Sequence, residues 1–292
     1  MLKVPDNLSE FINVTVKIFE DKKIKDARLN AELLLCDVLK CSRIDLYLNF
    51  DKPLTKDEIK IYKDFVQRRL KNEPLQYIIG KTSFYGFDIM VNDKVLIPRQ
   101  ETEILVEKVL NDIKSRSLKE VSVFEIGAGS GCISIALTKM LKLENLDVKI
   151  YAVDISAEAL EVAEKNCELN GLKHGEIKFI VKDIFEIEKL SRNFDYIVSN
   201  PPYIPFDEYH KLDKEVKDYE PMISLTDKEN GLKFYERIFK IASAETFTGK
   251  VYCETGFDQK EDLEKILLQY NFSSHCFYKD YSGNFRILEV KK

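Results

Sequence analysis

Two short stretches of the chain carry residue types whose spacing suits chemistry. Phe124-Glu125-Ile126-Gly127-Ala128-Gly129-Ser130-Gly131 follows a strand-like run and opens a helix. Its glycines permit positive φ and let a ligand touch the backbone, and the helix offers free N–H groups. A nucleotide-like ligand is one reading of such a loop, and a structural tight turn is the other. Asp154 ends a second strand, Ile150-Tyr151-Ala152-Val153-Asp154. A carboxylate there can accept hydrogen bonds from both hydroxyls of a ribose, or it can cap the helix that follows. Asp183 ends a third strand, Phe179-Ile180-Val181-Lys182-Asp183, where a loop cap is the competing role. The most informative octet is Ile197-Val198-Ser199-Asn200-Pro201-Pro202-Tyr203-Ile204. A strand runs straight into two prolines, which fix the backbone and cannot continue the ladder. The result is a rigid loop at the mouth of a site.

The dinucleotide fingerprint is G-x-G-x-x-G, and here Cys132 occupies the slot of its third glycine. Glycines at 127, 129 and 131 instead resemble motif I of the S-adenosylmethionine-dependent methyltransferases. In that pattern the residue at Asp183 hydrogen-bonds the adenine amino group, and Ile184 lies against the ring. The Asn-Pro-Pro-Tyr loop fits methyl transfer to nitrogen. An amide or exocyclic amino nitrogen is a poor nucleophile because its lone pair is delocalised. The enzyme need not deprotonate it first. The Asn200 side-chain oxygen and the Pro201 backbone carbonyl can accept both hydrogens, favour pyramidalisation and aim the emerging lone pair at a sulfonium methyl. Alignment then carries much of the rate, since effective molarities are worth about 7–11 kcal/mol. Tyr203 supplies a flat face for stacking on a planar acceptor. The methylated nitrogen is strongly acidic and sheds its proton easily, so no His or Cys is required.

Alternating β and α patterns position these loops. Strand-like runs at Val121–Ile126, Lys149–Val153, Ile177–Val181, Tyr196–Ser199 and Lys250–Glu254 alternate with helical stretches at Ile133–Leu141 and Ala157–Asn170. Such alternation implies a parallel sheet covered on both faces, with ligands at the carboxyl ends of the strands. The first 75 or so residues read as helix instead. Asn7-Leu8-Ser9-Glu10 has capping-box character, followed by Phe11, Ile12, Val16 and Phe19 at helical spacing. Leu29, Leu33 and Leu34 form one stripe between Asp26 and Lys40. Thr55-Lys56-Asp57-Glu58 opens an amphipathic helix carrying Ile59, Tyr62, Phe65, Val66 and Leu70, which Pro74 stops. Tyr77 to Val95 holds two β-like runs around Gly80 and Gly86, read as a hairpin linker. A further helix begins near Thr102. The expected division is residues 1–75 as a helical substrate-recognition domain, 76–95 as the hairpin, and 96–292 as the α/β domain.

The chain has 292 residues, 45% hydrophobic and 33% charged, enough apolar material to close a core. Its formal net charge of -5 argues against one large basic face that coats nucleic acid. No stretch approaches the ~20 apolar residues of a membrane span, and Asp6 and Glu10 interrupt any apolar leader. A cytoplasmic protein is the default, and a monomer is expected. The six cysteines form no C-x-x-C pair and the three histidines are scattered, so no metal site is indicated.

Further segments carry a more specific resemblance. Glu73-Pro74-Leu75-Gln76-Tyr77-Ile78-Ile79-Gly80, then Phe84-Tyr85-Gly86, Pro98-Arg99-Gln100-Glu101-Thr102-Glu103, Tyr219-Glu220-Pro221 and Asp280-Tyr281-Ser282-Gly283-Asn284-Phe285-Arg286 occur in order around the Asn-Pro-Pro-Tyr loop. Together they resemble the protein-(glutamine-N(5)) methyltransferases of the peptide chain release factor type, the PrmC or HemK family, over essentially the whole chain. The resemblance implies a Rossmann-like, doubly wound, mostly parallel S-adenosylmethionine-dependent methyltransferase domain, with a small N-terminal helical domain joined by a β-hairpin. It implies S-adenosyl-L-methionine as cofactor and S-adenosyl-L-homocysteine as product. Gly127, Ala128, Gly129, Ser130, Gly131, Asp154, Asp183, Ile184 and Asn200 carry over as cofactor-binding positions. Asn200, Pro201, Pro202 and Tyr203 carry over for the glutamine, with Asn200, Pro201 and Tyr203 as the catalytic set. Ile184 departs from the aromatic residue that relatives often have there. Arg99 and Glu103 either close the cofactor pocket or form a helix-start ion pair. The implied reaction is methylation of the glutamine amide in the Gly-Gly-Gln motif of release factors, modulating translation termination. Glutamine methylation of a large-subunit ribosomal protein and amino methylation of nucleic acid are the alternatives, and a non-catalytic cofactor-binding module is the third. The intact Asn-Pro-Pro-Tyr loop disfavours the last. The acids interleaved through the helical domain (Asp57, Glu58, Asp64, Glu73) disfavour a nucleic-acid substrate, and no membrane partner is expected.

Overall fold

The computed structural model describes residues 6–116, 118–270 and 272–292, so the first five residues of the expected helical domain lie outside the described residues. In chain order the helices are α1 (Leu8–Asp21), α2 (Ala27–Leu39), α3 (Arg43–Leu48), α4 (Lys56–Leu70) and α5 (Leu75–Ile79). The hairpin β1 (Lys81–Phe84) and β2 (Phe87–Met90) follows, then α6 (Gln100–Ser115), β3 (Glu120–Ile126), α7 (Cys132–Leu143), β4 (Asp147–Asp154), α8 (Ala157–Leu169), β5 (Ile177–Val181) and β6 (Tyr196–Ser199). The chain closes with α9 (Phe206–Tyr209), α10 (Lys214–Lys217), α11 (Lys233–Ala242), β7 (Lys250–Glu254), α12 (Lys260–Leu267), β8 (Ser274–Lys279) and β9 (Phe285–Lys291). Two compact units result: the chain up to Gly80 together with Lys214–Tyr219, and Lys81–Asp213 together with Glu220–Lys292. Among the described residues no helix is long and apolar enough to cross a membrane.

The helical unit owes its start to side-chain caps. Asn7 accepts the Glu10 N–H at 3.0 Å, but the Glu10 carboxylate returns to the Asp6 N–H rather than to that of Asn7. Thr55 and Glu58 do form the reciprocal capping box at α4. Leu8, Phe11, Ile12 and Phe19 pack with Leu34, Leu35, Tyr62 and Val66. In α2 the buried stripe is Ala27, Ala31, Leu34 and Leu35, a spacing of four, three and one. Leu29 is out of phase with it and 39% exposed, which corrects the expected Leu29 stripe. Buried Arg69 donates to Asn30 Oδ1 and to Glu215 Oε2, each at 2.7 Å, so α10 joins this unit although it lies far along the chain.

The expected first β-like run is helical instead. Leu75–Ile79 forms α5 and Gly80 ends it in a left-handed conformation. The hairpin is Lys81–Met90, and it is part of the second unit rather than a separate linker. Buried Asn166 of α8 explains why. Its amide exchanges hydrogen bonds with the Met90 backbone and donates to the Ser130 carbonyl at 3.0 Å.

The second unit is built on a seven-stranded sheet of order β5-β4-β3-β6-β7-β9-β8. The five strands β5, β4, β3, β6 and β7 are mutually parallel, and β9 runs antiparallel to both β7 and β8. The chain starts at β3, moves outward to β4 and β5, then returns to β6 on the other side of β3. Strand order therefore reverses between β3 and β6, and ligands of doubly wound sheets bind outside the strand ends at such a point. β6 is buried at all four positions and β3 at five of seven, as central strands covered on both faces must be.

Candidate active site

The carboxyl ends of β3, β4, β5 and β6 open onto one cavity of about 550 Å³. Its wall includes Gly127–Ser130, Asp154, Asp183, Ile184, Asn200, Pro201 and Pro202. The glycine loop leaves β3 with Gly127, Gly129 and Gly131 all at positive φ, between +52° and +76°. Gly131 also admits α8: a Cβ there would stand 3.0 Å from the Ala163 Cβ. The loop is tied on two sides, by the Asn166 amide and by Asp154, whose Oδ2 accepts the Gly129 N–H at 2.9 Å. Asp154 Oδ1 accepts the Ser156 N–H at 2.9 Å. Burial raises the Asp154 carboxyl, and the backbone N–H groups of Ser156, Gly129 and Ile155 pull it back.

Across the reversal point the β6 end presents Asn200. A Cβ on Gly127 would lie 3.9 Å from the Asn200 carbonyl oxygen, so the two loops are adjacent. The Asn200 side chain donates from Nδ2 to Thr102 Oγ1 at 3.1 Å. Thr102, in the first turn of α6, donates in turn to Glu254 Oε2 at 2.6 Å, and Glu254 ends β7. Tyr203 donates its hydroxyl to the other oxygen, Glu254 Oε1, at 3.2 Å. Glu254 is 1% exposed. Burial raises its carboxyl, while the bonds from Thr102 and Tyr203 and the Arg286 charge oppose the rise. The Asn200 Oδ1 and the Pro201 carbonyl have no hydrogen-bond partner among the described residues.

Tyr203 does not line the cavity. Its ring packs against the core and its phenol, held well above the usual range by burial and by the Glu254 charge, points at that carboxylate. Its carbonyl accepts the Gln259 side-chain amide at 2.9 Å. Gly231 lies so close that a Cβ would stand 2.2 Å from that same carbonyl oxygen. Ile204 and Phe206 are pinned by backbone bonds to Leu225 and Glu229, each 2.9 Å. Asp183 does cap its turn, accepting the Phe185 N–H at 2.9 Å, and lines the cavity as well. Ile184 lies mostly in the core, 5% exposed, while neighbouring Phe185 sits edge-on to Phe234 at the cavity wall. Arg99 and Glu103 do not pair with each other. Arg99 lines the cavity and donates to buried Glu220 at 2.5 Å, and Glu103 holds the Tyr85 N–H at 2.7 Å.

The comparisons with known proteins agree over nearly the full length. A PrmC N-terminal domain matches residues 10–80 and a methyltransferase domain matches residues 117–272. A release factor glutamine methyltransferase of Leptospira interrogans is 38% identical over 287 residues, covering 97% of this chain and 98% of the relative. One from Fusobacterium nucleatum is 38% identical over 291 residues, 98% of this chain and 79% of the relative. The chain belongs to the release factor glutamine methyltransferase family. Among solved structures, the hMettl16 catalytic domain in complex with MAT2A 3'UTR hairpin 1 shares the fold, with a TM-score of 0.55 at 16% identity over 87% of each chain.

Family motifs outside the cavity acquire plain structural roles. Asp280 receives the Ser282 and Asn284 N–H groups and pairs with Arg286 at 3.4 Å, closing the β8–β9 turn. Glu73 pairs with Arg68 at 2.5 Å ahead of α5. The residues whose roles sequence reading passes over are Glu254, Gln259 and Gly231. Only the strand-terminal position of Glu254, equivalent to those of Asp154 and Asn200, carries a signal that a search of strand ends would find.

Proposed function

We propose that the protein transfers a methyl group from S-adenosyl-L-methionine to the side-chain amide nitrogen of the glutamine in the Gly-Gly-Gln motif of peptide chain release factors. The observation that carries this reading is the Asn200–Pro201 pair, two carbonyl oxygens without partners, set beside the glycine loop at the strand-order reversal. The acceptor follows from the relatives, which are release factor glutamine methyltransferases. The cavity, about 550 Å³, suits a cofactor of this size. The backbone of Gly127 to Gly131 and the Asp154 carboxylate would hold the ribose and amino acid part, and Asp183 and Ile184 the adenine. When bound, the cofactor supplies an electrophilic methyl on a sulfonium. The chain's own work is positioning. Asn200 Oδ1 and the Pro201 carbonyl accept the two amide hydrogens, Pro202 stiffens the loop, and Tyr203 fixes it from behind through Glu254. The nitrogen sheds its extra proton once alkylated, so no base is invoked. We place the activity in the cytoplasm, where thiols such as the six free cysteines stay reduced.

The test incubates the full chain with labelled cofactor and a purified release factor, then maps the label. Label on the Gly-Gly-Gln glutamine supports the reading, and label that persists when that glutamine is replaced refutes it. Asn200→Ala should reduce single-turnover rates by ~100-fold or more with little change in cofactor affinity, since the contact matters most as the nitrogen pyramidalises. A few-fold loss would dispose of the clamp.

A further inference from the structure

The Asn200 amide has two nearly isosteric orientations, and only one presents an acceptor to the substrate. If the side chain flipped, its NH2 would meet the substrate NH2, donor against donor. Something must fix the orientation, and the prolines cannot, because they restrain the backbone and not χ2. The side chain's contact is Thr102 Oγ1. A hydroxyl has one hydrogen and can donate it or accept. We propose that Thr102 and Glu254 are positioning residues that set the polarity of the Asn200 clamp.

The chain of bonds is directional. A carboxylate only accepts, so Glu254 Oε2 takes the Thr102 hydrogen at 2.6 Å and Oε1 takes the Tyr203 hydrogen at 3.2 Å. With its hydrogen committed, Thr102 Oγ1 can only accept from Asn200, and it does so from Nδ2 at 3.1 Å. Nδ2 therefore faces Thr102, and Oδ1 is left for the acceptor. Thr102 lines the cavity but is only 3% exposed and Glu254 is 1% exposed, so the bond between them is shielded from water. The three residues come from the α6 first turn, the β6 end and the β7 end of one unit, so the fold itself brings them together. Glu254 does not line the cavity and touches no reacting atom. It acts through Thr102. The same carboxylate anchors Tyr203, so one buried charge orients both ends of the Asn-Pro-Pro-Tyr loop.

The inference rests on the methylation reading above, and the experiment separates the two. Wild-type full chain is assayed first with S-adenosylmethionine and a recombinant release factor carrying Gly-Gly-Gln. Absence of transfer by the wild type overturns the reading and the inference with it. With transfer established, Thr102→Val, which keeps the shape and removes the hydroxyl, should lower kcat about 10- to 100-fold, the cost of a misaligned reacting group. Its cofactor Kd should stay within about threefold, because the ribose and glycine-loop contacts are untouched. Thr102→Ser should restore kcat to within about threefold of wild type, since it restores the hydroxyl. Glu254→Gln should resemble Thr102→Val, because a primary amide can donate to Thr102 and release the Asn200 flip. The decisive comparison is made in an Asn200→Ala background, where Thr102→Val should cost less than about twofold more, since a residue that acts through Asn200 has nothing left to position. Full additivity there, or wild-type kcat in Thr102→Val, overturns the proposal. Thermal melting of each variant confirms that it is folded before it is compared.

Discussion

Replacing Asp154 is the sharpest probe of the cofactor half of the site. Its two oxygens already serve the backbone, Oδ2 receiving the Gly129 N–H and Oδ1 the Ser156 N–H, both at 2.9 Å. Each oxygen has a second lone pair to offer a ribose hydroxyl. Asp154→Asn keeps the volume but removes the charge and turns one oxygen into a donor. One ribose hydroxyl then loses its acceptor. A hydrogen bond to a charged group is worth about 1.5–3 kcal/mol. At about 1.4 kcal/mol per tenfold, that lowers S-adenosylmethionine affinity by ~10- to 100-fold. Asp154→Ala removes both acceptors and also frees the Gly129 tether, so the glycine loop loses its preset shape. Its affinity should fall further, by ~100-fold to 10,000-fold, on the same arithmetic doubled. Calorimetric titration of the folded variants reads both values. Affinities within threefold of wild type in both would refute the ribose assignment and leave Asp154 as a brace for the loop alone. A loss in Asp154→Ala with none in Asp154→Asn would assign the whole effect to the tether.

Two further outcomes test the supports of the site. Gly231→Ala should displace the Tyr203 carbonyl, because its Cβ would stand 2.2 Å from that oxygen at a φ of +81°; turnover should fall with cofactor affinity preserved, at a stability cost of about 1–3 kcal/mol, and wild-type turnover would contradict the packing argument. Buried Glu125 is pushed up to about 8 from its usual 4.5, chiefly by burial. The unfolded chain therefore releases a proton that the folded chain keeps. The stabilising contribution is complete below about pH 4.5 and is lost as the pH rises to about 8. Glu125→Gln cannot titrate and should flatten urea-derived stability across that window, where wild type declines by an amount on the order of a few kcal/mol. Parallel pH profiles for the two proteins would refute it.

Much of this was legible in the sequence, for reasons that differ by element. The parallel strands announce themselves because strands buried on both faces are continuous apolar runs, as in Tyr196–Ser199. The edge strand β8 does not, because Ser274–Lys279 is largely exposed and carries no apolar period. Tyr77-Ile78-Ile79 reads as strand, yet Pro74 at the N-cap and Gly80 at the C-cap make it part of a short helix, Leu75–Ile79. The cavity wall is legible because ligands of doubly wound sheets bind outside the carboxyl ends of the strands, where the glycine loop and the strand-end acids of this chain lie. The role of Tyr203 is not. An aromatic ring after two prolines suggests a stacking face, but the ring direction depends on what waits behind the loop, and here that is the Glu254 carboxylate, some fifty residues later in the chain.

Glu125 and Glu254 show how the same residue type at comparable places can serve opposite ends. Both lie in the parallel strands, both are 1% exposed, and burial raises both. Glu125 receives the Ser134 hydroxyl on one oxygen, while its Oε1 has no partner among the described residues, and no cation opposes the desolvation. Burial shifts such a group toward its protonated form, and it does not line the cavity. Glu254 has a hydroxyl donor on each oxygen and the Arg286 charge nearby. Donors on both oxygens favour the ionised form, which is the form that can dictate the direction of every bond it touches. None of the three histidines lines the cavity. An acceptor nitrogen that loses its own proton after alkylation needs no general base. What it needs is a clamp with its oxygens facing the right way, and the hydrogen-bond chain from Glu254 through Thr102 to Asn200 is arranged to provide that.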